Sequence, residues 1–310
     1  MRQRSIACVV LTLTLSVCAS HTASAQQKPL TRTFISGAEE RYQVTVAIRV
    51  ETHGISTEKI GDKTYADVFT HEAKGQVNWR STRKISAVNR DGTASLVEKL
   101  DRFQLSCDGD TATKTFDSAL QQSVQRACAA WQDLAELNYQ EETQGLVRSL
   151  PESADNLIDS GSSLLSLWAR HAFRPNVVFP KSPFHFGDRA ARRIEDFSTD
   201  RAKPEGEESM EWLEASGEIP AATLHVSQNL TWIDSGGRGL TKNVTTRPDP
   251  RQLFYADSLN TISLLDGSLL KAARSATHET KSTLDPVPGL PDVPIFGSKL
   301  TITVTILRLP

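Results

Sequence analysis

The chain of 310 residues lacks several things that would announce a function. It lacks a basic excess: 35 Lys and Arg stand against 37 Asp and Glu, a formal charge of −2. That balance does not suit a nucleic-acid binder, and none is expected as a partner. It lacks any apolar run of 18 residues, so no transmembrane helix is expected after removal of the N-terminal leader. It has only four Cys. It has no Gly-x-Ser-x-Gly elbow, no paired His four residues apart after His-Glu, and no Gly-Lys-Ser/Thr phosphate loop. Neither a catalytic residue nor a metal or cofactor site is readable, and no cofactor is expected.

Several fragments approach these motifs and stop short. His71-Glu72 and His278-Glu279 begin like a zinc-protease motif but have no second His on the same helix face, so both His read as surface residues of strands. Asp108-Gly109-Asp110-Thr111 is similar to the paired aspartates of haloacid dehalogenase-like phosphatases, but Ala112 and an antiparallel β context favour a turn. Gly236-Gly237-Arg238-Gly239 reads as a hairpin tip. Glu141-Glu142 and Glu207-Glu208 are adjacent, and neighbours on a strand face opposite ways.

What is present begins at the N-terminus. Arg2 and Arg4 precede an apolar run, Ile6 to Val17, and then Ala23-Ser24-Ala25. That order predicts a secretory signal peptide over residues 1–25, with Gln26 as the first mature residue. Leu15-Ser16-Val17-Cys18 resembles a lipobox, with Val17 in place of the small residue, so a lipoprotein anchored through Cys18 is the disfavoured rival. Cleavage removes two Arg and two Cys. The remaining pair, Cys107 and Cys128, predicts a disulfide in an exported chain, with two buried free thiols as the alternative.

Strand signals dominate the rest. In "RYQVTVAIRVE" (41–51), Tyr42, Val44, Val46, Ile48 and Val50 alternate with mostly polar residues, the pattern of a half-buried strand. "QVNWRSTRKISAV" and "TASLVEKLDRFQL" flank Asp91-Gly92, a hairpin signal, and their charged faces suit an exposed sheet surface. Two helices are expected next. One follows the capping box at Ser118, with Leu120, Val124, Cys128, Trp131 and Ala135 on one stripe. The other carries Leu157, Gly161, Leu164, Leu165, Trp168 and Ala172, and stops before Pro175. "RAKPEGEESME" (201–211) reads as a solvated loop. Strands then resume through a second Asp-Gly hairpin at Asp266-Gly267. They end in "KLTITVTIL" (299–307), where Thr suits a pleated surface.

Between the β segments lies "NVVFPKSPFHFGDR" (176–189). Phe179, Pro180, Pro183, Phe184, Phe186, Gly187 and Asp188 meet the needs of an extended joint: two Pro force an extended path, Phe rings pin it, and Gly187 turns it. His185 would need a partner acid or nucleophile to act as a base, and the sequence names none. Pro180 and Pro183 followed by Gly187-Asp188, set between two β-rich halves and preceded by the strand–Asp-Gly–strand unit, resembles uncharacterised secreted bacterial β-rich proteins of a domain-of-unknown-function type. That resemblance covers the mature chain in outline and implies no activity.

The sequence therefore predicts a mainly β (α+β) protein with large antiparallel twisted sheets in two β segments and two intervening helices. Residues 26–175 hold the first segment and the helices. Residues 176–310 hold the second, which can be one continuous domain with the first. The expected function is an exported, non-enzymatic periplasmic or secreted binding or scaffold protein for an apolar ligand or a protein partner. Two alternatives remain: an exported hydrolase-like enzyme with a site assembled from distant residues, and an outer-membrane component.

Overall fold

The structure is a computed structural model. It describes residues 30–60, 63–109, 136–148, 172–193, 205–216, 220–233, 246–248, 251–284 and 294–310. In chain order its strands are β1 (Glu39–Ile60), β2 (Lys63–Val88), β3 (Ala94–Gly109), β4 (Glu136–Glu141), β5 (Val147–Arg148) and β6 (Arg189–Arg193). They continue with β7 (Glu205–Ser216), β8 (Ala221–Ile233), β9 (Thr246–Pro248), β10 (Arg251–Ser263), β11 (Leu269–Leu284) and β12 (Pro294–Leu309). The described residues form one large antiparallel sheet, ordered β5-β4-β3-β2-β1-β12-β11-β10-β8-β7-β6, with β9 beside β11. Both expected helices fall mainly in 110–135 and 149–171, outside the described residues.

The order is the sequence order read as a circle. Apart from β9, which pairs with β11 and lets β8 pair with β10, strands β1–β5 and β6–β12 each pair with their neighbours in the chain, and β12 returns to pair with β1, Val46 opposite Val304. The two β segments are thus one sheet, joined through the first and last strands. Only β5 and β6, consecutive in sequence, stand at opposite ends of it.

Alternation sets the inward face. Tyr42, Val44, Val46 and Ile48 are buried on β1, and Leu300, Ile302, Val304 and Ile306 on β12, while Thr303 and Thr305 face out. Gly92 and Gly267 adopt positive φ, 86° and 67°, in the β2–β3 and β10–β11 turns, as their Asp-Gly sequences require. A bulge sets Arg102 and Phe103 against the single residue Trp79. Arg102 takes φ 57° there, and the rings of Trp79 and Phe103 stack at 6.1 Å.

The sheet is rolled on its apolar face. Adjacent residues of the N-terminal segment bridge two distant turns: Arg32 N donates to Thr143 O at 2.7 Å and Thr33 N to Asp266 O at 2.8 Å. Thr143 follows β4, and Asp266 precedes β11. Five strand steps separate these strands, roughly 24 Å across a flat sheet at ~4.8 Å per step. Two consecutive residues, ~3.8 Å apart, span that gap only if the sheet curls.

Two expectations need correction here. Residues 205–211, read as part of a solvated loop, belong to β7, and Glu208 is buried. The charged faces of the first hairpin do not all meet water. Ser81, Arg83 and Glu98 lie on the inward side with Trp79 and Leu96, because they share those residues' two-residue phase.

Candidate functional site

Residues 172–188 form a strap across the inside of the rolled sheet. Ala172, Phe173, Val177, Phe179 and Phe184 are buried. Phe173 meets Trp79 edge-on at 5.9 Å, and Phe184 packs on Trp212 at 6.3 Å. Phe179 N donates to Gln144 O at 2.8 Å, and Trp212 N to Asp188 O at 3.2 Å. Gly145 (φ 78°) lies under Val177, where an added Cβ would sit 1.9 Å from the Val177 carbonyl oxygen. The strap therefore touches the β4–β5 turn at one end and β7 at the other.

The strap's backbone is held by buried arginines. Proline and extended geometry leave its carbonyls without ladder partners, and buried carbonyls need donors. Arg83 Nη1 donates to Pro175 O at 2.8 Å. Arg274 donates from Nη1 to Ala172 O (2.8 Å) and Arg174 O (2.9 Å), and from Nη2 to Asn176 O (2.6 Å). Its Nε donates to Asn260 Oδ1 at 3.0 Å. Burial lowers the Arg274 pKa to about 10, so it stays charged at neutral pH.

Beside the strap, Arg32, Arg83 and Arg174 meet Glu40, Glu98 and Glu141. Arg174 Nη1 reaches Glu98 Oε2 at 2.8 Å, and Arg32 reaches Glu40 at 2.9 Å and Glu141 at 3.2 Å. Arg83 bonds Glu141 directly. Glu98 also accepts from Ser81 and from Tyr139 OH, the latter at 3.0 Å. Burial works to raise the pKa of Glu98, but Arg174 and Arg83 outweigh it and hold the carboxyl below its ordinary value. Glu40 is held low in the same way, burial being outweighed by Arg83 and Arg32. Among the described residues the cluster sets Arg32, Arg83 and Arg174 against Glu40, Glu98 and Glu141, and such pairing is how buried charge is tolerated.

A cavity of about 90 Å³ lies between the strap and β6, β7, β8, β10 and β11. Its polar wall includes Asn176, Gln228, Glu208, Asn260 and Arg274. Asn176 is 5% exposed. Its Nδ2 donates to Gly145 O at 2.9 Å, and its Oδ1 is buried without a hydrogen-bond partner among the described residues. Gln228 repeats the arrangement: Nε2 donates to Glu208 Oε2 at 2.5 Å, and Oε1 is buried and unmatched.

The residues singled out from the sequence are dispersed. Cys107 lies within β3, its backbone opposite Gly75, whereas Cys128 lies outside the described residues. Phe186 is 59% exposed, and Pro183 is exposed beside buried Phe184. Gly187 takes φ 82° and closes a turn in which His185 Nδ1 lies 3.2 Å from Asp188 Oδ2, both half-exposed. That pair does not line the cavity. His278 is on a strand as expected but buried, not at the surface, and burial lowers its pKa. His225 Nε2 lies 2.6 Å from Asp257 Oδ1 on the outward face. Ser227, opposite Asp257, shares a hydroxyl–hydroxyl hydrogen bond with Ser209 at 2.7 Å.

No family model matches the chain, and neither does any curated protein. Among solved structures, DynF from the dynemicin biosynthesis pathway of Micromonospora chersina is similar at 6% identity. The match covers 91% of this chain and 86% of that one, with a TM-score of 0.17, and nothing is built on a likeness of that size.

Proposed function

We propose that the chain is an exported protein that acts by binding, holding an apolar ligand or an apolar part of a protein partner inside the rolled sheet. The observation that supports this most is the interior cavity beside the strap, apolar over much of its wall and edged by two unmatched buried acceptors. Such a site, concave and mostly apolar with a few convergent polar groups, is the usual form of a small-molecule pocket. A rolled sheet of more than about eight strands also has more interior than side chains alone fill. Here the strap occupies part of that space. The outward Thr and charged residues of β1, β2 and β12 suit water rather than the apolar band of a membrane barrel. No helix among the described residues is long and apolar enough to cross a membrane.

The same reading includes cleavage before Gln26, a Cys107–Cys128 bridge, and two helices in the stretches 110–135 and 149–171. A bridge would tie the first of those stretches to β3. Intact mass spectrometry under native conditions, on protein taken from its own envelope, tests these points together. The expected result is a chain beginning at Gln26, two hydrogens lighter than the dithiol, with a retained non-covalent molecule. A lipid-modified N-terminus at Cys18 or two free thiols would each remove its part. Protein that is empty in every preparation yet turns over a substrate would replace binding with catalysis.

A further inference from the structure

We infer that a ligand reaches the cavity through the seam between the two ends of the sheet, where the β5 edge faces the β6 edge, with Leu146 and Val178 as the rim; this rests on the binding reading above. Among the described residues β5 and β6 do not pair. The cavity wall draws on both sides of that gap: Leu146 precedes β5, Arg192 belongs to β6, and Val178 belongs to the strap that spans between them. Exposure rises toward the seam. Gly145 and Val177 are buried, whereas their neighbours Leu146 and Val178 are half-buried. Gln228 and Ser258 line the cavity from the middle of the sheet and are half-buried too, so the interior is reached by solvent.

Among the described residues three other routes are closed. The wall itself is a continuous ladder, β6 to β7, β7 to β8, β8 to β10 and β10 to β11. Two residues beyond Gln228, the row Leu230, Phe254, His278 and Leu300 lies in register, and all four are buried, which seals the cavity on that side. At the opposite end the N-terminal segment ties the β4–β5 turn to the β10–β11 turn through Arg32 and Thr33, with Leu30 and Arg32 buried. The seam is held by the strap alone. Phe179 N bonds Gln144 O on one side, and Asp188 O accepts from Trp212 N on the other. Between these anchors Lys181, Ser182 and Pro183 are exposed. A segment with few buried contacts opens locally at less cost than a strand within a ladder, so the outer strap is the part that yields when a ligand passes.

The test places a thiol on the cavity wall with Val226→Cys and follows its reaction with methyl methanethiosulfonate in the intact protein, located by peptide mass spectrometry. The expected result is that Leu146→Ala or Val178→Ala speeds labelling roughly fivefold or more, since each trims the rim, and that Leu146→Trp slows it by a similar factor. Phe34→Ala, in the N-terminal segment at the closed end, should leave the rate unchanged. Labelling that responds to Phe34→Ala and not to the rim would overturn the route. Labelling no faster than global unfolding in every variant, judged by hydrogen exchange of the slowest amides, would overturn any route through the folded state. Calorimetric titration with 1-octanol separates this from the binding reading, with Val226→Phe, which fills the cavity, as the blank. Octanol that binds while labelling ignores the rim would sink the seam and leave binding standing. Rim-dependent labelling without octanol binding would uphold the seam, and the binding reading would then fail if protein from the native envelope also carries nothing.

Discussion

Single residues inside this sheet have unequal consequences. Glu98 is buried against Arg174, Ser81 and Tyr139. Removing one side of a buried pair strands the other, at about 3–5 kcal/mol. Glu98→Leu should therefore lower unfolding free energy by that order, read from urea melts. The pH profile follows from the directions of the shifts. Glu98 and Glu40 are held low in the folded state, so their stabilisation is present above the ordinary glutamate value of about 4.3 and is lost as pH falls through their folded values. His278 is also lowered, by burial, so its share is present above about 6.5 and is lost as pH falls below that. Urea midpoints should drop in two stages on acidification, and His278→Asn should remove the first. These inward polar groups were partly legible in the sequence. Arg83 keeps phase with Val77, Trp79 and Ile85, Glu98 with Leu96 and Leu100, and Arg274 with Ala272 and Ala276. A charge in phase with a buried stripe is the available signal. Its partners were not legible, because Arg174 reaches Glu98 from a segment 76 residues away.

At the scale of elements, the strap is the piece whose removal should matter most. Phe184→Ala should cost about 3–5 kcal/mol, since its ring is buried on Trp212. Phe186→Ala should stay within about 0.5 kcal/mol, since that ring is exposed. Equal losses from the two in urea melts would contradict the packing described. Gly145→Ala would drive a methyl into the Val177 carbonyl at a positive φ, and should free the strap for proteolysis within 172–188 while the sheet persists. The alternating strands and both Asp-Gly hairpins could be read from the sequence because period and turn chemistry are local. β7 could not: its charges (Glu205, Glu207, Glu208) suggest solvent, and it is a strand because β8 pairs along its whole length. The strap's extended path was legible from Pro180 and Pro183. Its place inside the sheet was not, since nothing local tells a Phe which surface it will cover.

For the whole molecule, the sequence left open whether the two β segments make one sheet. The pairing of β1 with β12 decides it, and that contact joins residues more than 240 positions apart. No local pattern encodes such a closure beyond two long alternating strands at the two ends of the fold. The roll that follows creates an interior, the strap divides it, and the cavity lies where the strap's side chains do not fill the space. The binding account stands or falls on whether a ligand enters there. Hydrogen–deuterium exchange, with and without 1-octanol, measures this most directly. The account predicts slower exchange confined to the strap at 172–179 and to the facing stretches of β7 and β8, and no such change in Val226→Phe. Protection limited to the outward face, or protection that persists in Val226→Phe, would contradict it.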